Sequence, residues 1–421
     1  MEELIISGGK KLIGKVRVHG AKNAVLPILA ASLLANGTCV IHDCPNLKDV
    51  RVAFEILEHL GCDVEYCDGT AIINSQNIKN FDIPDRLMRK MRSSVIFLGA
   101  IISKMRKAQV SYPGGCKLGA RPIDMHLNAM ARLGVKINEG CGYINCKLDM
   151  VLPQNLTLIF PSVGATENIM LLAATSKGTT TIANAAREPE IVDLQNFLNT
   201  MGADIRGAGS DTIKINGVTS LHGGEYTVVA DRIVAATYGC AVAACGGDIV
   251  IENIIPEHIG IVLSVLEDAG CKVAVLHDGI RVSMKGKPCA VGMIKTLPYP
   301  GFPTDVQSQL MATMCCGKGT TVFSETIFDN RYHHVNDLVR MGADISVDGR
   351  TAIVSGVEGL CGGDVVAADL RGGAALVIAG LCAKGVTHVS GIEYIDRGYE
   401  SIERDLKFLD ADIYRGVGEL I

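Results

Sequence analysis

The 421-residue sequence contains no tryptophan, and aromatic residues make up only 5% of it. The core must therefore be built from aliphatic, methionine and cysteine side chains, which the 48% hydrophobic content supplies. No apolar stretch reaches the roughly 18 residues that a membrane-spanning helix requires. The N-terminus carries acidic residues where a signal peptide has basic ones. These absences predict a cytoplasmic globular protein without a membrane partner.

The 15 cysteines include no Cys-x-x-Cys pair, so their spacing gives no indication of a metal site. Many of them stand in apolar segments, which favours reduced thiols packed as small hydrophobic side chains in a reducing compartment. The net charge of −5 argues against a nucleic-acid partner, although it permits a local basic pocket. The composition leaves the oligomeric state open.

One short phrase recurs six times along the chain, for example as Leu60-Gly61-Cys62-Asp63-Val64. The aligned positions are 61, 134, 202, 270, 342 and 410, and successive copies lie 68 to 73 residues apart. Each is glycine except the last, which is Asp410. An amphipathic helix precedes the phrase and a strand follows it, so the glycine is predicted to end the helix in a left-handed conformation. Regular spacing with a shared pattern indicates six structural repeats.

A second helix, rich in small residues, precedes the amphipathic helix in the repeat, as at Ile233–Ala244, Ser308–Cys315 and Gly373–Cys382. Each such helix leads through glycine to a strand, so a repeat contains two helices and several strands. The predicted fold class is therefore α/β. A chain of this length exceeds one core, which favours two domains of three repeats each. We predict one domain over 22–229 and a second made of 1–21 plus 230–421.

The segment from Tyr112 to Pro122 differs from the other loops because it places Cys116 among glycines and basic residues. Lys117 and Arg121 would lower the pKa of a neighbouring thiol and increase its nucleophilicity. A glycine-rich loop is also typical of a segment that closes over a site. The alternative is a surface loop with an incidental thiol.

Several other residues could hold an anion. Lys22 stands at a predicted helix start, where a phosphate is favoured, although solvated lysines are common there. Ser162 opens another helix and is either an ordinary N-cap or part of a diphosphate site. Arg331, Arg371 and Arg397 stand at segment boundaries in the second half of the chain. Each is either an anion ligand, a solvated side chain or the partner of a neighbouring aspartate. Asp305 is either a helix N-cap or a base for a substrate hydroxyl.

Together these segments resemble the UDP-N-acetylglucosamine 1-carboxyvinyltransferases, a branch of the enolpyruvyl transferases. The resemblance runs from about residue 20 to residue 400 and is carried by six segments in order: Gly20-Ala21-Lys22-Asn23-Ala24, Pro113-Gly114-Gly115-Cys116, Gly119-Ala120-Arg121-Pro122, Ala186-Arg187-Glu188-Pro189-Glu190, Phe302-Pro303-Thr304-Asp305 and Asp396-Arg397-Gly398-Tyr399-Glu400.

The resemblance implies two inside-out α/β domains, each of three β-α-β-α-β-β units. It implies transfer of the enolpyruvyl group of phosphoenolpyruvate to the 3′-hydroxyl of UDP-N-acetylglucosamine by addition and elimination, with release of phosphate. This is the first committed step of peptidoglycan synthesis. It requires no metal or organic cofactor, and both partners are small molecules. The family's sensitivity to fosfomycin, an epoxide antibiotic, implies that Cys116 is alkylated by it.

The resemblance also implies roles by position. Cys116 matches the general acid and Asp305 the base for the sugar hydroxyl. The phosphoenolpyruvate ligands match Lys22, Asn23, Arg121, Arg331, Arg371 and Arg397. The sugar-nucleotide contacts match Arg92, Arg121, Pro122, Ile123, Asp124, Met125, Ser162, Val163, Gly164, Asp305 and Ile327. Phe160 is a departure, because some relatives carry a basic residue there, near the nucleotide.

Two other functions are open at this point. Enolpyruvyl transfer to shikimate 3-phosphate uses the same fold and donor, although the Cys116 loop and residues 186–190 favour the nucleotide. A non-catalytic ring would also suit six repeats. It predicts basic residues spread over one surface of every repeat, whereas the distinctive arginines here fall in a few loops.

Overall fold

A computed structural model describes residues 2–112 and 123–417 of the chain. Cys116, Arg121 and Pro122, which the sequence singles out, lie outside the described residues. Within the described ranges, no helix combines the length and the apolar character needed to cross a membrane.

The described residues form 26 strands, 14 helices and three short 3₁₀ helices. The strands are β1 (Glu2–Ser7), β2 (Leu12–Arg17), β3 (Ala35–Asn36), β4 (Thr38–His42), β5 (Asp63–Cys67), β6 (Thr70–Asn74), β7 (Asp82–Ile83), β8 (Lys107–Ser111), β9 (Val135–Gly140), β10 (Tyr143–Leu148), β11 (Asn155–Thr157), β12 (Gly178–Ala183), β13 (Asp204–Arg206), β14 (Thr212–Gly217), β15 (Leu221–His222), β16 (Glu225–Thr227), β17 (Gly247–Glu252), β18 (Lys272–Leu276), β19 (Gly279–Met284), β20 (Met293–Lys295), β21 (Thr320–Ser324), β22 (Asp344–Asp348), β23 (Thr351–Ser355), β24 (Asp364–Val366), β25 (Val386–Ser390) and β26 (Asp412–Val417).

The helices are α1 (Lys22–Ala31), α2 (Lys48–Leu60), α3 (Asp85–Lys90), α4 (Phe97–Met105), α5 (Asp124–Arg132), α6 (Val163–Ala173), α7 (Pro189–Thr200), α8 (Arg232–Cys245), α9 (Gly260–Asp268), α10 (Thr304–Cys315), α11 (Val335–Arg340), α12 (Leu370–Cys382), α13 (Ile392–Ile395) and α14 (Ile402–Phe408). The 3₁₀ helices cover Ser32–Leu34, Arg92–Ile96 and Pro256–Ile259.

Six four-stranded sheets with one common topology organise the described chain. In each, the first two strands are parallel and the remaining neighbours are antiparallel. The orders are β16-β4-β6-β5, β7-β8-β10-β9, β11-β12-β14-β13, β2-β17-β19-β18, β20-β21-β23-β22 and β24-β25-β1-β26. A further two-stranded sheet pairs β15 with β3. The six predicted repeats are confirmed, and so is the α/β class.

The positions aligned in the sequence repeat share one backbone conformation. Residues 61, 134, 202, 270, 342 and 410 all have positive φ, between 64° and 105°. Five are glycine, which enters this region without a steric cost, and Asp410 adopts it in the sixth repeat. Each follows the end of a helix and precedes a strand, as the sequence predicted. The repeat therefore reflects a shared helix-ending turn.

The described residues divide into two compact units. Unit 1 contains residues 2–19 and 230–417, and unit 2 contains residues 20–112 and 123–229. Each has its own hydrophobic core. In unit 1, α8, α10 and α12 pack on one another and are buried nearly all round, with the sheets outside them. In unit 2, α1, α4 and α6 are similarly buried. The predicted limits of independent folding domains stay a prediction.

The buried helices begin earlier than the small-residue pattern predicted. Helix α10 starts at Thr304 instead of Ser308, and α12 starts at Leu370 instead of Gly373. The first turns carry polar and charged residues, which the apolar pattern could not include. The earlier starts place Asp305 and Arg371 in the first turns of two helices that pack together.

Candidate active site

In unit 1, one carboxylate is held by two buried arginines. Asp305, the second residue of α10, accepts from Arg331 Nη2 at 3.1 Å through Oδ1 and from Arg371 Nη2 at 3.0 Å through Oδ2. Arg371 is the second residue of α12, and Arg331 lies between β21 and α11. The interpretation of Asp305 as a helix N-cap is wrong, because Pro303 occupies that position and the Asp305 side chain faces the arginines.

The two arginines retain hydrogen-bonding capacity after binding Asp305. Arg331 and Arg371 are 2% and 3% exposed, and Arg331 Nε and Arg371 Nη1 are buried donors without a partner among the described residues. Burial opposes the charged form of Arg371, but Asp305, Tyr399 and Asp231 together leave its pKa above the usual value. Two cations facing one carboxylate, with unsatisfied N–H groups, form an arrangement suited to a further anion.

Asp369 and His334 lie beside these arginines. Asp369 caps α12 by accepting from the backbone N–H groups of Arg371 and Gly372, both at 3.0 Å through Oδ1. Burial lowers the pKa of His334 to about 4; the charge of Arg331 adds to this effect, and Asp369 opposes it. His334 is therefore neutral near pH 7, with neither ring nitrogen partnered among the described residues. The sequence pattern raised Asp369 only as a neighbouring partner of Arg371, and it did not single out His334, three residues after Arg331.

Glu325 orders the turn that carries Ile327, a predicted nucleotide contact. Its Oε1 accepts from the backbone N–H groups of Ile327 and Phe328 at 2.8 and 3.0 Å, and its Oε2 accepts from Thr304 Oγ1 at 2.9 Å. Glu325 is 1% exposed. It therefore links this turn to the first residue of α10, next to Asp305. No local sequence pattern indicated this role of Glu325.

Arg397 lies in the segment between α13 and α14 and is half-buried. Its neighbour Asp396 accepts two hydrogen bonds from Arg415, at 2.8 and 3.2 Å. Tyr399, two residues after Arg397, is buried against α8 and hydrogen-bonds Thr237 at 2.8 Å. The segment is thus fixed on both sides of Arg397.

In unit 2, Lys22 forms a buried ion pair. Helix α1 begins at Lys22, and the Nζ atom lies 2.8 Å from Asp49 Oδ2. Lys22 is 8% and Asp49 1% exposed, so the interpretation of Lys22 as a solvated lysine is wrong. Asn23, the next residue of α1, is half-buried. Asp49 lies 27 positions away in the chain, and nothing in the sequence indicated the pairing.

Several predicted nucleotide contacts gather around His126, on α5. Ser162 is the N-cap of α6 and accepts from Ala165 N at 3.3 Å, so the N-cap interpretation is confirmed. A methyl group on Gly164 would lie 2.7 Å from His126 Cε1, so glycine is needed for this close approach. Burial, with the charge of Arg92, lowers the pKa of His126 to about 4. Ile123 is buried and precedes α5, whose first two residues are Asp124 and Met125.

Asn168 fixes this arrangement. Its Nδ2 donates to His126 Nδ1 at 2.9 Å and contacts the carbonyls of Val95 and Gly164, each at 3.2 Å. Its Oδ1 accepts from Gly99 N at 2.7 Å. Since His126 Nδ1 is an acceptor, the neutral ring carries its proton on Nε2. Asn168 thereby joins α4, α5 and α6.

A group of buried carboxylates lies on α6 and α7, and no sequence pattern indicated shifted pKa values there. Burial, reinforced by Glu190 and Glu188, raises the pKa of Glu167 to about 8. Burial likewise raises the pKa of Asp193 to about 6, although Tyr226 and the Val229 amide donate to it. Glu167 is 1% exposed. It is therefore mostly neutral at pH 7.

The structure thus brings together Asp305, Arg331 and Arg371 in unit 1. In unit 2, it brings Arg92, Ile123 to Met125 and Ser162 to Gly164 around His126. Cys116, Arg121 and Pro122 lie outside the described residues, so their roles stay predictions. Phe160 is 37% exposed, and its carbonyl accepts from Ser162 N at 2.7 Å.

Comparison with known proteins gives concordant results. A family model described as EPSP synthase (3-phosphoshikimate 1-carboxyvinyltransferase) matches residues 6–406. UDP-N-acetylglucosamine 1-carboxyvinyltransferase 2 of Caldanaerobacter subterraneus subsp. tengcongensis is 53% identical, over 99% of this chain and 100% of its own. UDP-N-acetylglucosamine 1-carboxyvinyltransferase 1 of Carboxydothermus hydrogenoformans is 46% identical, over 100% of this chain and 99% of its own.

Solved structures agree with these matches. The enolpyruvyl transferase NikO from Streptomyces tendae superposes with a TM-score of 0.88 at 25% identity, covering 98% of both chains. EPSP synthase from Acinetobacter baumannii shares the fold, with a TM-score of 0.76 at 19% identity, over 99% of this chain and 100% of its own. The resemblance seen in the sequence is confirmed, and the chain belongs to the EPSP synthase family of enolpyruvyl transferases.

Proposed function

We propose that this enzyme transfers the enolpyruvyl group of phosphoenolpyruvate to the 3′-hydroxyl of UDP-N-acetylglucosamine and releases phosphate, the first committed step of peptidoglycan synthesis. The structural observation that carries the proposal is Asp305 held between Arg331 and Arg371, with guanidinium N–H groups left to bind an anion. The choice of acceptor is supported by the names of relatives that are 46–53% identical over nearly the full length.

The donor carries a carboxylate and a phosphate, and both suit the fork of an arginine. Arg331 and Arg371 are proposed as its ligands because they are buried and retain donors. Arg397 is proposed as a third ligand of the donor, because it belongs to the matched motif Asp396-Arg397-Gly398-Tyr399-Glu400 and lies two residues before the buried Tyr399. Lys22, Asn23 and Arg121 are proposed as further ligands of the donor, on the motif match.

Asp305 is proposed as the base for the acceptor. It takes the proton of the 3′-hydroxyl as that oxygen bonds to C2 of phosphoenolpyruvate, while Cys116 gives a proton to C3. In the second step, C3 loses a proton, the C2–O bond to phosphate breaks, and the enol double bond re-forms. Arg331 and Arg371 hold the two oxygens of the Asp305 carboxylate at 3.1 and 3.0 Å, which orients it toward the acceptor hydroxyl in the proposed complex.

The nucleotide is proposed to bind at the start of α6. The hydroxyl of Ser162 caps Ala165 N, whereas the N–H groups of Val163 and Gly164 precede the first bonds within the helix. Such groups, at the positive end of a helix of 11 residues, suit a diphosphate. Arg92, Arg121, Pro122 to Met125 and Ile327 are proposed as further contacts.

Shikimate 3-phosphate is the alternative acceptor, because the matching family is named for enolpyruvyl transfer to it. The test is the mass of the product formed from phosphoenolpyruvate in a mixture of both acceptors. We expect the nucleotide alone to gain the enolpyruvyl group. Enolpyruvyl shikimate 3-phosphate as the product would overturn the proposal, and no product with either acceptor would favour the non-catalytic ring.

We also propose a cytoplasmic location. Fourteen cysteines fall within the described residues, and all are free thiols. So many reduced thiols are typical of a reducing compartment, which supports this location. The nucleotide substrate proposed above is consistent with it.

A further inference from the structure

A buried chain of hydrogen bonds connects the segment that carries Arg397 to the helix that carries Asp305. It runs from Tyr399 to Thr237 on α8, and from there to Gln309 on α10. Tyr399 is 1% exposed, Thr237 1% and Gln309 0%. Hydrogen bonds between groups this deeply buried favour one arrangement of the three elements, although Gln309 Oε1 has no partner among the described residues.

The direction of each hydrogen bond follows from the chemistry of Thr237. Its hydroxyl has one proton, which it donates to the Ile233 carbonyl at 2.8 Å. Toward Tyr399, at 2.8 Å, Thr237 must therefore accept, and Tyr399 is the donor. Burial raises the pKa of Tyr399, which keeps its hydroxyl protonated for this purpose. The second lone pair of Thr237 accepts from Gln309 Nε2 at 3.3 Å.

Gln309 completes the chain on the Asp305 side. Its other amide hydrogen is donated to the backbone carbonyl of Asp305 at 2.8 Å. Because a carbonyl only accepts, this contact fixes the amide orientation. Both donors of Gln309 are thus engaged, one on Thr237 and one on the backbone that carries the Asp305 carboxylate. Tyr399 also faces the charge of Arg371, which lowers the Tyr399 pKa against the effect of burial.

We infer that Tyr399 is a positioning residue for the donor site: its hydroxyl, through Thr237 and Gln309, holds the segment of Arg397 in register with Asp305 and Arg371. The inference rests on the proposed function, since it assumes that these three residues act on phosphoenolpyruvate. Tyr399 itself is not proposed to touch substrate. Loss of its hydroxyl should therefore weaken use of phosphoenolpyruvate more than use of the nucleotide.

The test is steady-state kinetics of Tyr399→Phe and Thr237→Val, with both substrates varied. A net hydrogen bond of usual strength corresponds to a loss of about three- to tenfold in kcat/KM for phosphoenolpyruvate. We expect that loss in each variant, with the KM for UDP-N-acetylglucosamine changed by less than about twofold. The double variant should be no worse than Thr237→Val alone, because both changes remove the same interaction. Thr237→Ser keeps the hydroxyl and should restore activity.

Tyr238→Phe is the matched control. Tyr238 is adjacent to Thr237 on α8, is 0% exposed, and donates to Asp405 Oδ2 at 2.7 Å. Its loss should lower the melting temperature without changing kcat/KM. Tyr399→Phe with kinetics equal to those of Tyr238→Phe would overturn the inference, and Thr237→Val decides the matter if Tyr399→Phe does not fold. A wild-type protein that released no phosphate would instead overturn the proposed function.

Discussion

Asp305 and Arg371 lie 66 positions apart in the chain, yet they meet at 3.0 Å because α10 and α12 begin side by side. Each is the second residue of its helix. Arg331 approaches the other carboxylate oxygen at 3.1 Å. The first turns of two helices and the segment before α11 therefore bring one carboxylate together with two buried arginines.

Asp305→Asn should lower kcat by roughly 10²- to 10⁴-fold, because the amide keeps the shape but cannot take a proton. It should also destabilise unit 1 by about 2 kcal/mol, because two buried arginines lose their counter-charge. Initial rates and thermal unfolding measure both effects. Asp248→Asn, which breaks an exposed pair with Arg281, is the control and should leave turnover unchanged. Equal turnover in Asp305→Asn and wild type would contradict the role as base.

Cys116→Ala should lower turnover by at least about 10²-fold, since it removes the proposed proton donor. Cys116→Asp should retain more activity than Cys116→Ala, because a carboxylic acid can also donate a proton. Cys289→Ala, at an exposed cysteine of unit 1, should behave as wild type. Full activity of Cys116→Ala would exclude the role.

Alkylation gives an independent control on the same residue. Fosfomycin should add once to the wild-type chain and not at all to Cys116→Ala, as read by intact mass. An adduct on the alanine variant would place the reactive thiol elsewhere.

Gly164→Ala should raise the KM for the nucleotide and destabilise the protein by about 1–3 kcal/mol. The added methyl group would lie 2.7 Å from His126 Cε1 and would displace the ring from Asn168. Gly260→Ala, at the start of α9, where the methyl group meets nothing within 4 Å, should be nearly neutral. A nucleotide KM as low in Gly164→Ala as in Gly260→Ala would show that the close approach is irrelevant to binding.

Phe160→Lys should tighten binding of UDP-N-acetylglucosamine by about three- to tenfold at low ionic strength, because a cation near the diphosphate adds a charge-assisted contact. The side chain of Phe160 is 37% exposed, so it can be exchanged without a large packing loss. Calorimetric titration at two salt concentrations measures the effect, with Phe160→Leu as the uncharged control. Equal affinity in the lysine and leucine variants would remove Phe160 from the nucleotide site.

Glu167 should make stability depend on pH. Its pKa is about 8 when folded and about 4.3 in an unfolded chain. The folded state keeps the proton between these values while the unfolded state loses it, so the stabilising contribution is present below pH 4.3 and declines up to about pH 8. Glu167→Gln should therefore gain melting temperature relative to wild type as pH rises through this window. Glu65→Gln, on exposed β5, should not; a pH-independent difference for Glu167→Gln would contradict the account.

The sequence predicted what is local. The glycine at positions such as 61 and 202 predicted the turn that ends a helix, and all six aligned positions have positive φ. Small-residue runs located the buried helices but not their first turns, because those turns are polar. Asp305 was therefore open to interpretation as an N-cap, although Pro303 holds that position.

Pairings across the fold could not be predicted. Lys22 with Asp49, and Asp305 with its two arginines, depend on which helix starts are neighbours, and a single sequence does not encode that in its local pattern. No local pattern in the sequence singled out the carboxyl group of Glu325 or of Glu167. Only burial shows that the first orders the turn of Ile327 and that the second has a raised pKa.

The most direct measurement is the rate of phosphate release from phosphoenolpyruvate by the wild-type protein with UDP-N-acetylglucosamine, with shikimate 3-phosphate, or with neither. The account predicts release that requires the nucleotide and that falls by roughly 10²-fold or more in Asp305→Asn. Release that requires shikimate 3-phosphate, or that is unchanged in Asp305→Asn, would contradict it.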